Sequence, residues 1–482
     1  MKKLLAVLLT LAMALTLMGG IAAAADDEVI NLRLFHRGWP GTDLPMIEEA
    51  LSDYTRDAMG VTIELIVIGA EYTSRIPLML ASDEQMDIGF DANWLDYFGR
   101  SRAGAYLDIT DMLDDVPLLK ETIGPVMWDG SKVDGRIYGV PTKKEYATQW
   151  ALMVEEEFIT THNLDISGIK TVPDAEFILE ALSKDPDRPG FMFTMGGYGG
   201  VMLMNLENYF YGSSFDPSYV SVMKIGQEGT FVNYYETPEF KEYCETLHRW
   251  YELGYIDPNI ATLENYDKYT RDSQNYGLGL IGYSPQTEIN TSIGYGKSIV
   301  PIKVTPIMLR DGGVVGSINC IFAKTQYPEV VLQFMQLWNT DPVVKNFLVY
   351  GIEGEHYELI DGKVRWLPDA ASRTAGIGNW TSGNMYISYL LESDQDDKYE
   401  QYDQFNADAL ISPLVGFQPN TDAIVDKIAA LNGVVAEYVP LLICGAINPD
   451  EYIPILTDAL KAAGADDVIA EMQRQYDEFV AG

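Results

Sequence analysis

The stretch from residue 31 to residue 103 alternates strand-like and helix-like segments, and this rhythm constrains the fold more than any other feature of the chain. Residues 31–35 alternate apolar and polar, as a half-buried strand does. His36-Arg37-Gly38-Trp39-Pro40-Gly41 reads as a loop. Residues 43–59 carry Met46, Ile47, Leu51, Tyr54 and Met59 at helical spacing, with Gly60 placed as a C-terminal cap. A strand over 61–68, a short helix over 72–81, a strand over 86–90 and a helix over 95–103 follow. The second of those strands runs into Asp91-Ala92-Asn93-Trp94. Strand, helix, strand, helix, strand predicts an α/β fold with a mostly parallel sheet covered on both faces.

Further along, Gly135-Arg136-Ile137-Tyr138-Gly139-Val140-Pro141 reads as a strand entry closed by proline, 149–154 as a strand and 155–162 as a helix. Glycine-rich breaks at 196–200 and 277–279 interrupt the later α/β signals. Residues 238–254 form an amphipathic helix with Phe240, Cys244, Leu247 and Tyr251 on one face, and 328–339 a second with Val331, Phe334, Met335 and Trp338 inward. The tail is helical: 421–439 with Thr421 as N-cap and Ile424, Val425, Ile428, Leu431 and Val435 inward, then Pro449 to Gly464, then 466–480. The acidic stretch 392–403 reads as solvated surface.

The first 25 residues have the three parts of a secretory signal peptide: Lys2 and Lys3, an apolar run over 4–17, and small residues at 22–25 before Asp26-Asp27-Glu28. The expected mature chain starts near Asp26 and works outside the cytoplasmic membrane, in the periplasm or at the cell surface. There is no cysteine near the cleavage region, so the usual site of a bacterial lipid anchor is missing. Formal net charge is −38, becoming −40 when the two signal lysines leave, and such a field repels nucleic acid and anionic lipid. Cys244, Cys320 and Cys444 are far apart in sequence and form no metal-type pair, which leaves room for at most one disulfide.

Catalytic signatures are sparse. His36, His162, His248 and His356 have no metal-ligand spacing, and no nucleophile elbow, phosphate-binding loop or dinucleotide fingerprint occurs. No cofactor is implied. Carboxylates are abundant, so a pair suited to glycoside hydrolysis stays open on composition. What stands out is a set of aromatic residues beside glycine, proline or strand ends: Trp39, Trp94, Tyr198, Tyr283 and Trp380. Open α/β sheets bind ligands at the carboxyl ends of their strands. An aromatic ring there covers the C–H face of a sugar while Asp, Glu and Asn take its hydroxyls.

Four segments then resemble a known family: 72–109, with Met86-Asp87-Ile88-Gly89-Phe90 and Gly104-Ala105-Tyr106-Leu107-Asp108-Ile109; Val133-Asp134-Gly135-Arg136-Ile137-Tyr138-Gly139-Val140-Pro141; Trp250-Tyr251-Glu252-Leu253-Gly254-Tyr255-Ile256; and Tyr327-Pro328-Glu329 with Asn339-Thr340-Asp341-Pro342. Their order resembles the extracellular solute-binding proteins of bacterial ABC transporters, family 1, sugar-binding branch. The segments 350–358, Gly383-Asn384, 412–417 and 462–475 resemble a lipoprotein-like subgroup with its own C-terminal region over 351–482.

The resemblance implies a two-lobed type II periplasmic-binding-protein fold with a hinged ligand cleft. Lobe I would hold 26–143 and about 310–350, and lobe II about 147–305 and about 370–482. Crossings are expected at 141–146 and 305–313. Asp91, Asn93, Trp94 and Glu145 would face the ligand, with Tyr198, Tyr283 and Trp380 contributing from the second lobe; the aromatic pattern, not the resemblance, adds Trp39 from the loop after the first strand to the expected ligand set. The implied function is a monomeric, non-enzymatic receptor that closes on a carbohydrate and delivers it to an ABC permease. The alternatives are a secreted glycoside hydrolase, a peptide or amino-acid receptor, and a surface-interaction protein with no small ligand.

Overall fold

A computed structural model describes residues 29–481 except 83, 186–208, 213–215, 257–276 and 311. The expected signal peptide and Tyr198 lie outside the described residues. The opening rhythm becomes strands Ile30–Arg37, Val61–Ile68 and Ile88–Asp91, with helices Leu44–Met59 and Tyr72–Ala81 between them. These three strands are parallel. Ile318–Ile321 joins antiparallel to Ile88–Asp91, and Gly139–Pro141 closes the five-stranded sheet. Alternation along the first strand explains the two covered faces. Leu32 and Leu34 point into one core with Ile47, Leu51, Phe334 and Trp338, while Phe35 points into the other with Phe90, Tyr97 and Phe322. Gly60 ends the first helix at φ 73°, the left-handed conformation a side chain would resist.

A second body has its own core, built from residues among 152–182, 209–210, 220–256, 278–308 and 414–476. Its main sheet is antiparallel, with Gln149–Glu155 between Ile299–Lys303 and Gly279–Tyr283. Helix Pro238–Glu252 buries Phe240, Tyr243, Cys244, Leu247 and Trp250. Tyr251, expected inward, is half-buried, because the buried stripe runs through Tyr243 and Trp250 instead. The C-terminal helices Val425–Ile443, Pro449–Ala463 and Ala465–Ala481 close this body. The first begins four residues later than expected. Ile424, not Thr421, is its N-cap, and Val425 is exposed.

The two bodies meet where three stretches of chain run side by side. Thr148 and Met308 exchange backbone hydrogen bonds of 2.8 Å each. Met308–Leu309 pairs in parallel with Leu410–Ile411, through Leu410 N–H to the Ile307 carbonyl and Ser412 N–H to the Leu309 carbonyl, both 2.9 Å. Met308 is buried in the second core and Leu309 in the first. The crossing at 410–412 was not among those expected from the sequence.

Two expectations change here. Ala375 and Ile377 are buried in the first core, although the segment from about 370 was assigned to lobe II. The stretch 392–403 is only partly solvated. Asp394 and Lys398 form a buried 2.9 Å ion pair, and Tyr402 is buried on helix Lys398–Ala407. The Oδ1 of Asn406 on that helix accepts the backbone N–H groups of Tyr146 and Ala147 at 3.0 and 3.1 Å, so this segment grips the first crossing.

Candidate ligand-binding site

Three tryptophans lie exposed where loops leave the first sheet: Trp39 (63% exposed), Trp94 (49%) and Trp380 (41%). Trp39 follows the first strand and Trp94 follows Ile88–Asp91, so both stand at carboxyl ends of parallel strands. The Arg37 guanidinium bridges them, 5.0 Å from the Trp39 ring centre and 5.4 Å from that of Trp94. Trp94 and Trp380 lie 6.5 Å apart at an interplanar angle of 39°, and the buried Phe90 ring meets both, at 6.1 and 6.4 Å. The Trp94 indole N–H donates to the Gly316 carbonyl at 2.9 Å, which fixes the ring and leaves its apolar surface open.

Trp380 was expected from the second lobe. It belongs to the first body, because its loop is held by buried polar groups there. Lys345, wholly buried, donates to the carbonyls of Asn379 and Ser382 on either side of Trp380. The Thr381 carbonyl lies 3.1 Å from His36 Nε2 and accepts from Asn319 Nδ2 at 3.3 Å. Trp338 Nε1 donates to Ser382 Oγ at 3.2 Å. The Trp39 loop is pinned to the same stretch: Trp39 N–H donates to the Gly376 carbonyl and Gly41 N–H to that of Thr374, at 3.1 and 2.7 Å. Gly376 sits at φ +67°, and a Cβ there would lie 1.9 Å from the Trp39 carbonyl oxygen, so only glycine permits this approach. Burial pushes the Lys345 ammonium well below its ordinary pKa and lowers that of His36 to about 4.

The polar residues expected at the ligand divide. Asp91 is fully buried. Both its carboxylate oxygens accept from Arg100 Nη1 at 3.0 Å, and they also accept from the Tyr106 hydroxyl and the Ala92 N–H. Burial raises its pKa, with Arg100 pulling the other way. Its oxygens are committed to Arg100, Tyr106 and the Ala92 N–H, and so they brace the loop that carries Trp94. Tyr283 is also a correction. It is 7% exposed, packs against Phe405 and is capped by the Lys303 ammonium, 4.8 Å from the ring centre. Asn93 and Glu145 differ from Asp91: Asn93 Oδ1 and Glu145 Oε2 are both screened from solvent without a hydrogen-bond partner.

Sequence reasoning missed Arg37 and Lys345. Arg37 had a signal in its place two residues before Trp39. Lys345 had none, since a lysine on an apolar helix face reads as a surface residue.

The whole fold is similar to those of solved structures. The crystal structure of the N-glycan transport solute binding protein NgtS from Streptococcus pneumoniae matches 94% of this chain and 99% of its own, at TM-score 0.83 and 27% identity. The chain has the fold of a solute-binding protein. The NgtS complex with Man1GlcNAc matches the same share of this chain and 100% of its own, at TM-score 0.76 and 26% identity. A curated S. pneumoniae relative, named carbohydrate ABC transporter substrate-binding protein, is 28% identical over 95% of this chain and 92% of its own length. Residues 413–481 match a family model described as a domain of unknown function, DUF3502. The resemblance drawn from the ordered motifs therefore holds for the ABC-transporter solute-binding proteins. Among the described residues no group of His, Cys, Asp or Glu is arranged to hold a metal, and no helix is long and apolar enough to cross a membrane.

Proposed function

We propose that this protein is the extracytoplasmic receptor of an ABC importer and that it binds an oligosaccharide between its two bodies. The observation that carries this reading is the Trp39–Trp94–Trp380 platform at the carboxyl ends of the first sheet. Three large, partly exposed indoles supported from beneath suit the C–H faces of successive sugar rings. The whole-length likeness to NgtS, which carries Man1GlcNAc in one of its structures, supports a glycan ligand. The ligand set we assign is Trp39, Asn93, Trp94, Glu145 and Trp380.

The bodies would act as lobes. One holds the N-terminal sheet with 309–382, and the other holds 149–308 and the C-terminal helices. Ligand that binds the closed arrangement more tightly shifts the population toward it, and the closed form docks on a permease. The protein is a monomer exported by its N-terminal signal, and it releases the sugar chemically unchanged. The commitment of Asp91 to Arg100 and Tyr106 speaks against that carboxylate serving a hydrolase.

A thermal-shift screen of the mature chain against neutral mono- and oligosaccharides tests this reading, since a ligand specific to the native state raises the melting temperature. Reducing ends accumulating at a catalytic rate with any panel member would overturn it in favour of a hydrolase.

A further inference from the structure

Arg310 follows Met308–Leu309, the strand at which the chain passes between the bodies. Its Nε, Nη1 and Nη2 are all screened from solvent, and none has a hydrogen-bond partner. The guanidinium lies over the ring of Tyr211, 4.6 Å from its centre, and Tyr211 in turn meets Tyr219 at 5.3 Å. A stacked ring satisfies none of the five N–H donors. The buried carboxylate of Asp216 supplies no pairing, because both its oxygens are held by Ser218 and Ser221. A desolvated cation left in this state is costly unless something brings acceptors to it.

The turn after Arg310 brings other unmet groups close. A Cβ on Gly312 would lie 2.5 Å from Asn93 Nδ2, and one on Gly313 would lie 2.9 Å from the Tyr146 carbonyl, next in sequence to Glu145. Asn93 Oδ1 and Glu145 Oε2 are the unpartnered acceptors already described. The turn after Arg310 thus runs against the Asn93 side chain and the backbone beside Glu145, two residues that carry unmet acceptors.

We infer that Arg310 is a specificity-determining ligand contact, and that the ligand unit it meets is a neutral hydroxyl-bearing sugar ring. This rests on the carbohydrate reading above and narrows it. A hydroxyl oxygen accepts from Arg310 while its own proton goes to Asn93 or Glu145, so one functional group satisfies both sides. A carboxylate accepts from Arg310 but has no proton for the acceptors, and it meets the strongly negative chain as a like charge.

Calorimetric titration of wild-type protein, Arg310→Met and Arg310→Lys with neutral tri- and tetrasaccharides and with oligogalacturonides of equal length tests the assignment. The expected result is binding of a neutral member, an affinity loss of about tenfold or more in Arg310→Met, and a smaller loss in Arg310→Lys, which keeps the charge without the fork. Thermal melting of both variants shows that they are folded, and Arg310→Lys serves if the methionine variant is not. Unchanged affinity in the folded variants overturns the role of Arg310. Tighter wild-type binding of oligogalacturonides than of every neutral member overturns the neutral-sugar class while the carbohydrate reading stands. Binding of no member overturns both readings together.

Discussion

Trp94 and Trp380 stand 6.5 Å apart with their planes tilted by 39°, although one comes from the loop after an early strand and the other from a loop late in the chain. The Phe90 ring meets both, and each loop is held by the protein's own hydrogen bonds. The platform is therefore organised without ligand, which limits the entropy lost on binding.

Trp94→Ala should weaken oligosaccharide binding by about 1–3 kcal/mol while leaving the fold intact, as for other aromatic anchors. Isothermal titration reads the affinity, and far-UV circular dichroism checks the fold. An unchanged affinity would reduce Trp94 to a packing residue.

Lys345→Met should destabilise the chain, because it strips the carbonyls of Asn379 and Ser382 of their donor in a buried site, at about 1–3 kcal/mol for each orphaned acceptor. Urea unfolding measures the loss. Ligand affinity should fall with it, since these two carbonyls flank Trp380.

Asp91→Ala should cost about 3–5 kcal/mol by leaving Arg100 as an uncompensated, largely buried charge. The fraction that stays folded should keep ligand affinity within a few fold, measured by titration below the melting range. A loss of affinity without a loss of stability would return Asp91 to the ligand set.

Acid should destabilise the protein partly through His36. Its native pKa is held at about 4, against about 6.5 when unfolded, so between these values the unfolded chain takes up a proton that the native one refuses. The stability linked to His36 is complete above about pH 6.5 and is lost as pH falls toward 4, to a total of roughly 3 kcal/mol. Chemical denaturation across that window, compared with His36→Gln, should show a shallower fall in the variant.

The three cysteines are free and buried, and burial pushes all three thiols up. Thiol reagents should label native protein slowly and unfolded protein fully, and a reductant should leave the melting temperature unchanged.

Local periodicity carried much of the fold. The strand at 61–68, the helix at 72–81 and the inward face of Val331, Phe334, Met335 and Trp338 depend on side chains close in sequence, and they formed as their patterns predicted. The ordered motifs likewise pointed to the solute-binding proteins. Patterns of this kind say which face of an element is apolar, and they name residues able to stack on a sugar.

What the sequence by itself determined was the element order, the apolar faces and the kinds of residue available for binding. Only the tertiary structure decided which of them share a site. It drew Trp380 into the first body, turned Asp91 inward to Arg100, covered Tyr283, and left Arg310 with sealed, unmet donors beside Tyr211. The physical reason is that burial and hydrogen-bond satisfaction are set by groups distant in the chain. Whether an aspartate or an arginine already has its partner is invisible until the folded backbone brings that partner within reach, or fails to.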